Sequence, residues 1–278
     1  MKYLQTYNLF ESIPFDPNRN SLCRSLTKDE FKSILNRFCK NFDWNDAPIY
    51  KGMYIDDDFA ITNPKGQERR SANTANYYTV IFDNSPYLGE FPKRSQSLIC
   101  STDLNTAGTY GDLYRVIPFD GAKIAVCSSS DFWHGFETNI KYYDLDEFNV
   151  YLGIIFGFLY DKYDDQKLAK PREDKLLIEQ LKYLYDTYNL DDEIDSYRLR
   201  SNDIKGAREE FNNFPKSLEE LFQAFNPKNN SMGLYDYKDY SKMYLKDSDL
   251  EIWTDSKALL LKVDLYGDNG KSIAMSGL

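Results

Sequence analysis

A change of texture that later reverses is the feature that most constrains this chain. From Ile49 to about residue 133 it reads as short strands, "IYKGMYI", "YYTVIF", "SLIC", "LYRVIPF" and "KIAVCS". These runs are rich in β-branched and aromatic residues and are bounded by Asp, Asn, Gly and Pro. From about 144 to 226, apolar residues recur every three to four positions in "DEFNVYLGIIFGFLYDKY", "REDKLLIEQLKYLYDTYNL" and "SLEELFQAF", the spacing of amphipathic helices. Strand texture then returns in "LEIWTDSKALLLKVDLYG". A chain that leaves strands for helices and comes back completes its sheet with its last strands. The reading is therefore a single α+β domain over residues 1–278, with core strands at about 49–133 and 232–263 and a helical insertion at about 144–226.

Local signals sharpen the ends of these elements. "SLTKDEFKSILNRFCKNF" (residues 25–42) has Thr27 three residues before Glu30, a capping box, and then Phe31, Ile34, Leu35 and Phe38 on one helical face. Ser217 and Glu220 repeat the box signal before "LFQAF". "FDGAKIAV" reads as a tight connection between two strands.

Composition narrows the function classes. A net charge of −10 excludes general binding to the nucleic-acid backbone, which needs a basic face, and leaves only "PKGQERR" and "FPKRS" as local basic patches. Cys23, Cys39, Cys100 and Cys127 show no CxxC spacing and lie among apolar residues, as reduced buried thiols of a cytoplasmic protein do, with disulfides the second reading. The opening "MKYLQTYNLFESIPFDPN" lacks the apolar stretch of a signal peptide, and "VYLGIIFGFLY" is too short to span a bilayer, so no membrane is expected.

With one histidine, His134, against 23 tyrosines, zinc chemistry is disfavoured. The acidic runs "YIDDDF" and "LDDEID" lack the ligand spacing of a calcium loop, so no metal is expected. A Cys100–His134 pair is the one thiol–base arrangement available, and a cysteine inside "SLIC" more often packs than reacts. No Walker motif or GxGxxG is present. Three elements remain. In "SLICSTDLNTAGTYG", an apolar run ends in Ser101, Thr102 and Asp103 before a short helical pattern. That is either a helix cap alone or an anion site shared with Arg94 and Ser95. In "IYKGMYI", Lys51 and Gly52 break a strand, as a bulge on an edge strand or as a place where a ligand meets backbone. In "DSDLEIW", Glu251 opens a core strand after a Tyr-, Lys- and Asp-rich loop, facing solvent or reaching a cleft.

In this order the three elements resemble the mono-ADP-ribosyltransferase family of the Arg-Ser-Glu type. "YKG" (residues 50–52) lies where that family has its aromatic-Arg-Gly strand, and "CSTD" (100–103) where it has Ser-Thr-Ser. "DLE" (249–251) lies at its Glu-x-Glu or Gln-x-Glu position, and "LYRVIPFDGAKIAV" is similar to its following paired strands. The run from "FPKRSQSLICSTD" to "CSSSDFW" also looks like phage-encoded proteins with this motif. The chain departs from the pattern at Lys51 for Arg, Asp103 for the second Ser and Asp249 for Glu or Gln, and in the long interval between Ser101 and Glu251.

The resemblance implies a split β-sheet core, preceded here by an N-terminal helix and carrying the large helical insertion. It implies NAD as substrate and a host protein or other macromolecule as acceptor in the host cytoplasm. Glu251 would stabilise the oxocarbenium ion while Ser101 orients it. Lys51 and Gly52, with Arg69, Arg70 or Arg94, would hold the pyrophosphate. Thr102 would support the strand end and Tyr110 or Tyr78 would stack on nicotinamide. Asp249 and Tyr240, the latter in a Tyr-rich loop from 231 to 248, would face the acceptor. A relative that kept the fold and lost activity, serving as an interaction or virion-associated protein, is the second expectation.

Overall fold

The structure, a computed structural model, describes residues 23–65, 69–70, 76–132, 145–168, 176–200, 215–243 and 249–263. Strands β1 (Cys23–Ser25), β2 (Tyr50–Met53), β3 (Phe59–Thr62), β4 (Leu98–Ser101), β5 (Asp112–Pro118), β6 (Lys123–Val126), β7 (Gly233–Asp236), β8 (Glu251–Thr254) and β9 (Ala258–Lys262) form one sheet. Its order is β1-β3-β9-β5-β2-β4-β8-β6-β7, and every pair is antiparallel. Among the described residues, helices are α1 (Lys28–Phe38), α2 (Tyr77–Asn84), α3 (Leu104–Gly108), α4 (Leu145–Tyr163), α5 (Leu177–Thr187), α6 (Leu190–Arg200), α7 (Leu218–Ala224) and α8 (Tyr237–Tyr240). The class is mixed α+β, and β8 and β9 complete the sheet begun by earlier strands.

The sheet has a seam. β2 runs four residue pairs along β5 but meets β4 at the single pair Tyr50↔Ser101. The strands on either side form two halves, β1-β3-β9-β5-β2 and β4-β8-β6-β7. Strand alternation sorts their side chains into layers. Ile61, Ile117, Leu259 and Leu261 pack with Phe31 and Ile34 of α1. Ile49, Tyr114, Val116 and Leu260 from one half share a core with Leu98, Cys100, Ile124 and Ile252 from the other. Ala125 and Trp253 pack with α2 and with Leu152, Phe156, Leu181 and Leu221 of the helical block. The block therefore shares a core with the sheet.

Capping follows the sequence. Glu30 N–H donates to Thr27 Oγ1 at 3.3 Å and Thr27 N–H donates back to Glu30 Oε2 at 2.8 Å. At α7, Glu220 N–H donates to Ser217 Oγ at 3.0 Å, but the Glu220 carboxylate takes the N–H of Lys216 instead of completing the box.

Three local expectations are corrected. "YYTVIF" forms α2, because Tyr77, Tyr78, Thr79, Ile81 and Phe82 are all buried and the helix has little polar face to reveal its period. β5 and β6 are not paired with each other; the turn at Gly121 (φ 82°) passes the chain from one half of the sheet to the other. β2 pairs with β5 in unbroken register from Tyr50 to Met53 and bridges β4 at Tyr50, so Lys51 and Gly52 form no bulge and β2 is not an edge strand. Among the described residues no helix is long and apolar enough to cross a membrane.

Candidate functional site

The site candidates gather at the seam because of strand register. Ser101 is the cross-strand partner of Tyr50 on one side and of Glu251 on the other, so one row crosses three adjacent strands. Lys51 is the first β2 residue beyond that bridge. Thr102 extends the β4–β8 ladder: its N–H donates to Leu250 O at 3.0 Å, and its Oγ1 accepts from Leu250 N–H at 2.8 Å. Thr102 ties the end of β4 to the segment before β8, and its hydroxyl is occupied in doing so.

Beyond Ser101 the chain turns into α3. Asp103 caps that helix by accepting from Thr106 N–H at 2.8 Å. Ser101 Oγ accepts from Asp103 N–H at 2.9 Å and donates to Asp249 Oδ1 at 3.1 Å, while Thr106 Oγ1 donates to Asp249 Oδ2 at 2.8 Å. Ser101 therefore orients Asp249, whereas the sequence led to the expectation that it would orient Glu251. Asp249 itself is exposed.

Glu251 is held from the other side. Arg94 Nη1 lies 2.5 Å from Glu251 Oε1, and Phe132 N–H donates to Oε2 at 3.4 Å. The pair is largely enclosed, with side chains 3% and 13% exposed. Asp83 shapes the turn that carries Arg94 by accepting from the N–H groups of Arg94 and Ser95 at 2.7 and 3.1 Å. Neither Asp83 nor Phe132 carried a signal in the sequence, since their roles depend on where α2 and the segment after β6 end.

Two other cations, Arg69 and Lys51, feel the Glu251 charge. Arg69 is anchored by its N–H to Ser95 O at 2.7 Å. Burial, then the neighbouring Arg94 charge, lowers its pKa, while Glu251 and Tyr110 oppose that shift. Lys51 is half-buried, and burial lowers its pKa against the pull of Cys100 and Glu251. Its Nζ lies 5.9 Å from the ring centroid of Tyr110, a ring that is 57% exposed. Arg70 is exposed, whereas Arg69 is half-buried and its guanidinium feels the Glu251 charge.

Three further expectations change. Gly52 makes room for α3, not for a ligand: a Cβ there would fall 2.1 Å from Ala107 O. Tyr240 is wholly buried in the core shared by the two halves of the sheet and does not face an acceptor. Tyr78 is 1% exposed and so offers no face to a ligand. The described residues of the expected acceptor loop include β7 and α8, and His134 lies outside the described residues. Cys100 is buried and burial pushes its thiol up to about 12, the opposite of what a nucleophilic thiolate needs. Among the described residues, no group of three or more His, Cys, Asp and Glu side chains is placed to hold a metal ion. Comparison with protein-family models, with curated proteins and with solved structures finds no match.

Proposed function

We propose that this protein is an NAD-dependent mono-ADP-ribosyltransferase acting on a macromolecular acceptor, a host protein in the cytoplasm of a phage-infected cell. The observation that carries the reading is the register that sets Ser101 beside Glu251 at the seam, with Lys51 next to the bridge and Asp249 bonded to Ser101. Lys51 and Arg69 supply positive charge at this one place in a chain of net charge −10, which suits a pyrophosphate. The exposed Tyr110 ring next to Lys51 offers a face for a heteroaromatic ring.

The chemistry follows from charge. The bond between the ribose anomeric carbon and nicotinamide breaks, its electron pair leaves with nicotinamide, and the ribose develops oxocarbenium character. Glu251 is a fixed carboxylate that stabilises this positive charge as it forms. A nucleophile of the acceptor then bonds to the anomeric carbon and releases its proton, so no oxidant or reductant is consumed. With water as nucleophile the same step is NAD hydrolysis.

Incubation with adenine-labelled NAD and host lysate tests this. Label should pass to protein, nicotinamide should be released, and Glu251→Gln should slow release about 100-fold or more. A wild-type protein that neither transfers nor hydrolyses, or a Glu251→Gln variant equal to wild type, defeats the proposal.

A second reading, a catalytically silent relative serving as an interaction or virion-associated protein, is favoured by the engagement of Ser101 with Asp249 and Asp103 and by lysine at position 51. Lysine is a point charge and cannot fork onto a phosphate. Calorimetric binding of NAD at micromolar affinity would count against this second reading.

A further inference from the structure

Arg94 is built in more tightly than a ligand-gripping arginine requires. Its side chain is only 3% exposed, so an incoming phosphate has little of it to touch. The guanidinium carbon lies 4.0 Å from the ring centroid of Phe132 and 5.2 Å from that of Trp253. The turn beneath it is tied at both ends. Trp253 Nε1 donates to Pro92 O at 2.9 Å, and Ser97 Oγ donates to Lys93 O at 2.7 Å. With Asp83 gripping the N–H groups of Arg94 and Ser95, backbone and guanidinium plane are both set before any ligand arrives.

Glu251 is set by the same group of residues. Phe132 offers its ring to the guanidinium and its N–H to the carboxylate. Glu251 N–H donates to Ser129 O at 2.8 Å, and Glu251 O accepts from Cys127 N–H at 2.9 Å. An enclosed carboxylate without a partner is costly, and a planar guanidinium against an aromatic ring supplies charge and direction together.

We infer that Arg94 is the positioning residue of this site, a fixed guanidinium that aims the Glu251 carboxylate and leaves the ligand's anionic groups to Lys51 and Arg69. The inference rests on the transferase reading for what Glu251 does, and on geometry alone for how Glu251 is held. It replaces the expectation that Arg94 grips the pyrophosphate. Because Arg94 acts through Glu251 and not on the ligand, its loss should reach turnover and leave binding alone.

The test uses the whole protein with Arg94→Met, Arg94→Lys, Glu251→Gln and the double variant Arg94→Met/Glu251→Gln. In NAD hydrolysis, Arg94→Met should lower kcat at least tenfold with KM within about twofold, and Arg94→Lys should recover part of kcat. A raised KM at unchanged kcat would mean that Arg94 grips the ligand and would overturn the inference. If wild type neither hydrolyses NAD nor transfers its label, the transferase reading fails, and urea unfolding decides the positioning by itself. The effects of Arg94→Met and Glu251→Gln on the unfolding equilibrium should then be non-additive by at least tenfold, whereas additivity overturns the pairing. Should Arg94→Met not fold, Arg94→Lys takes its place in both measurements: the same KM-against-kcat split and non-additivity with Glu251→Gln support the inference, and wild-type behaviour in both overturns it.

Discussion

Gly52 and Ser101 show how little a residue's type says about its job until its neighbour is known. In sequence, Gly52 is a break in an aromatic strand that could admit a ligand. In the fold, its missing side chain admits the backbone of α3, which would otherwise meet a Cβ at 2.1 Å. Because the obstructing atom is a backbone oxygen, Gly52→Ala should force β2 and α3 apart and destabilise by about 3 kcal/mol, the upper end for overpacking. Urea unfolding followed by circular dichroism measures this, and an Ala variant as stable as wild type would contradict the packing. Ser101 was legible as a polar strand end, and its cross-strand partnership with Glu251 is set by the register of β4 and β8. Its bond to Asp249 was not legible, because it depends on how the segment before β8 approaches α3.

Elements whose order comes from local chemistry were the easiest to read. The capping box of α1 follows from Thr27 and Glu30 alone, and both of its hydrogen bonds form. Thr27→Ala should cost about 1 kcal/mol. A urea midpoint equal to wild type would show that the packing of Phe31 and Ile34 holds the helix end without its cap. α2 marks the limit of local reading. Its β-branched and aromatic residues have strand propensity, yet it lies where the sheet and the helical block bury it together. Propensity worth tenths of a kcal/mol per residue gives way to burial worth about 2 kcal/mol for each large side chain. β1 and β3, three and four residues long, are too short to stand out as strands and exist through pairing, β1 with β3 and β3 with β9.

The whole molecule has an electrostatic signature above neutral pH. Burial raises the thiol of Cys23 to about 11 and that of Cys100 to about 12, and it also raises Cys39 and the phenols of Tyr114, Tyr237 and Tyr240. An unfolded thiol loses its proton near pH 9, so between that value and the folded one the native state binds more protons than the unfolded. This contribution is whole below about pH 9 and is lost as pH climbs through about 11 and 12. Lys51 acts in the opposite sense: burial lowers its pKa, so its charge weighs on the native state at neutral pH and is relieved as pH rises. The buried thiols and phenols outnumber this single lysine, so urea midpoints should hold steady to about pH 8 and fall steeply between 9 and 11. A midpoint that rises over that interval would contradict the burial of these groups.

The sequence by itself determined the α+β class, the capped first helix, the helical block between strands and the return of the chain to complete its sheet. These depend on residue periodicity and on hydrogen bonds between close neighbours, which every stretch of sequence carries with it. Tertiary structure alone decided that β2 and β4 share one bridge, that Arg94 is enclosed against Glu251, that Ser101 serves Asp249, and that Tyr240 is core. Each of these joins segments far apart in the chain, and strand register and burial choose among partners that look equivalent in sequence.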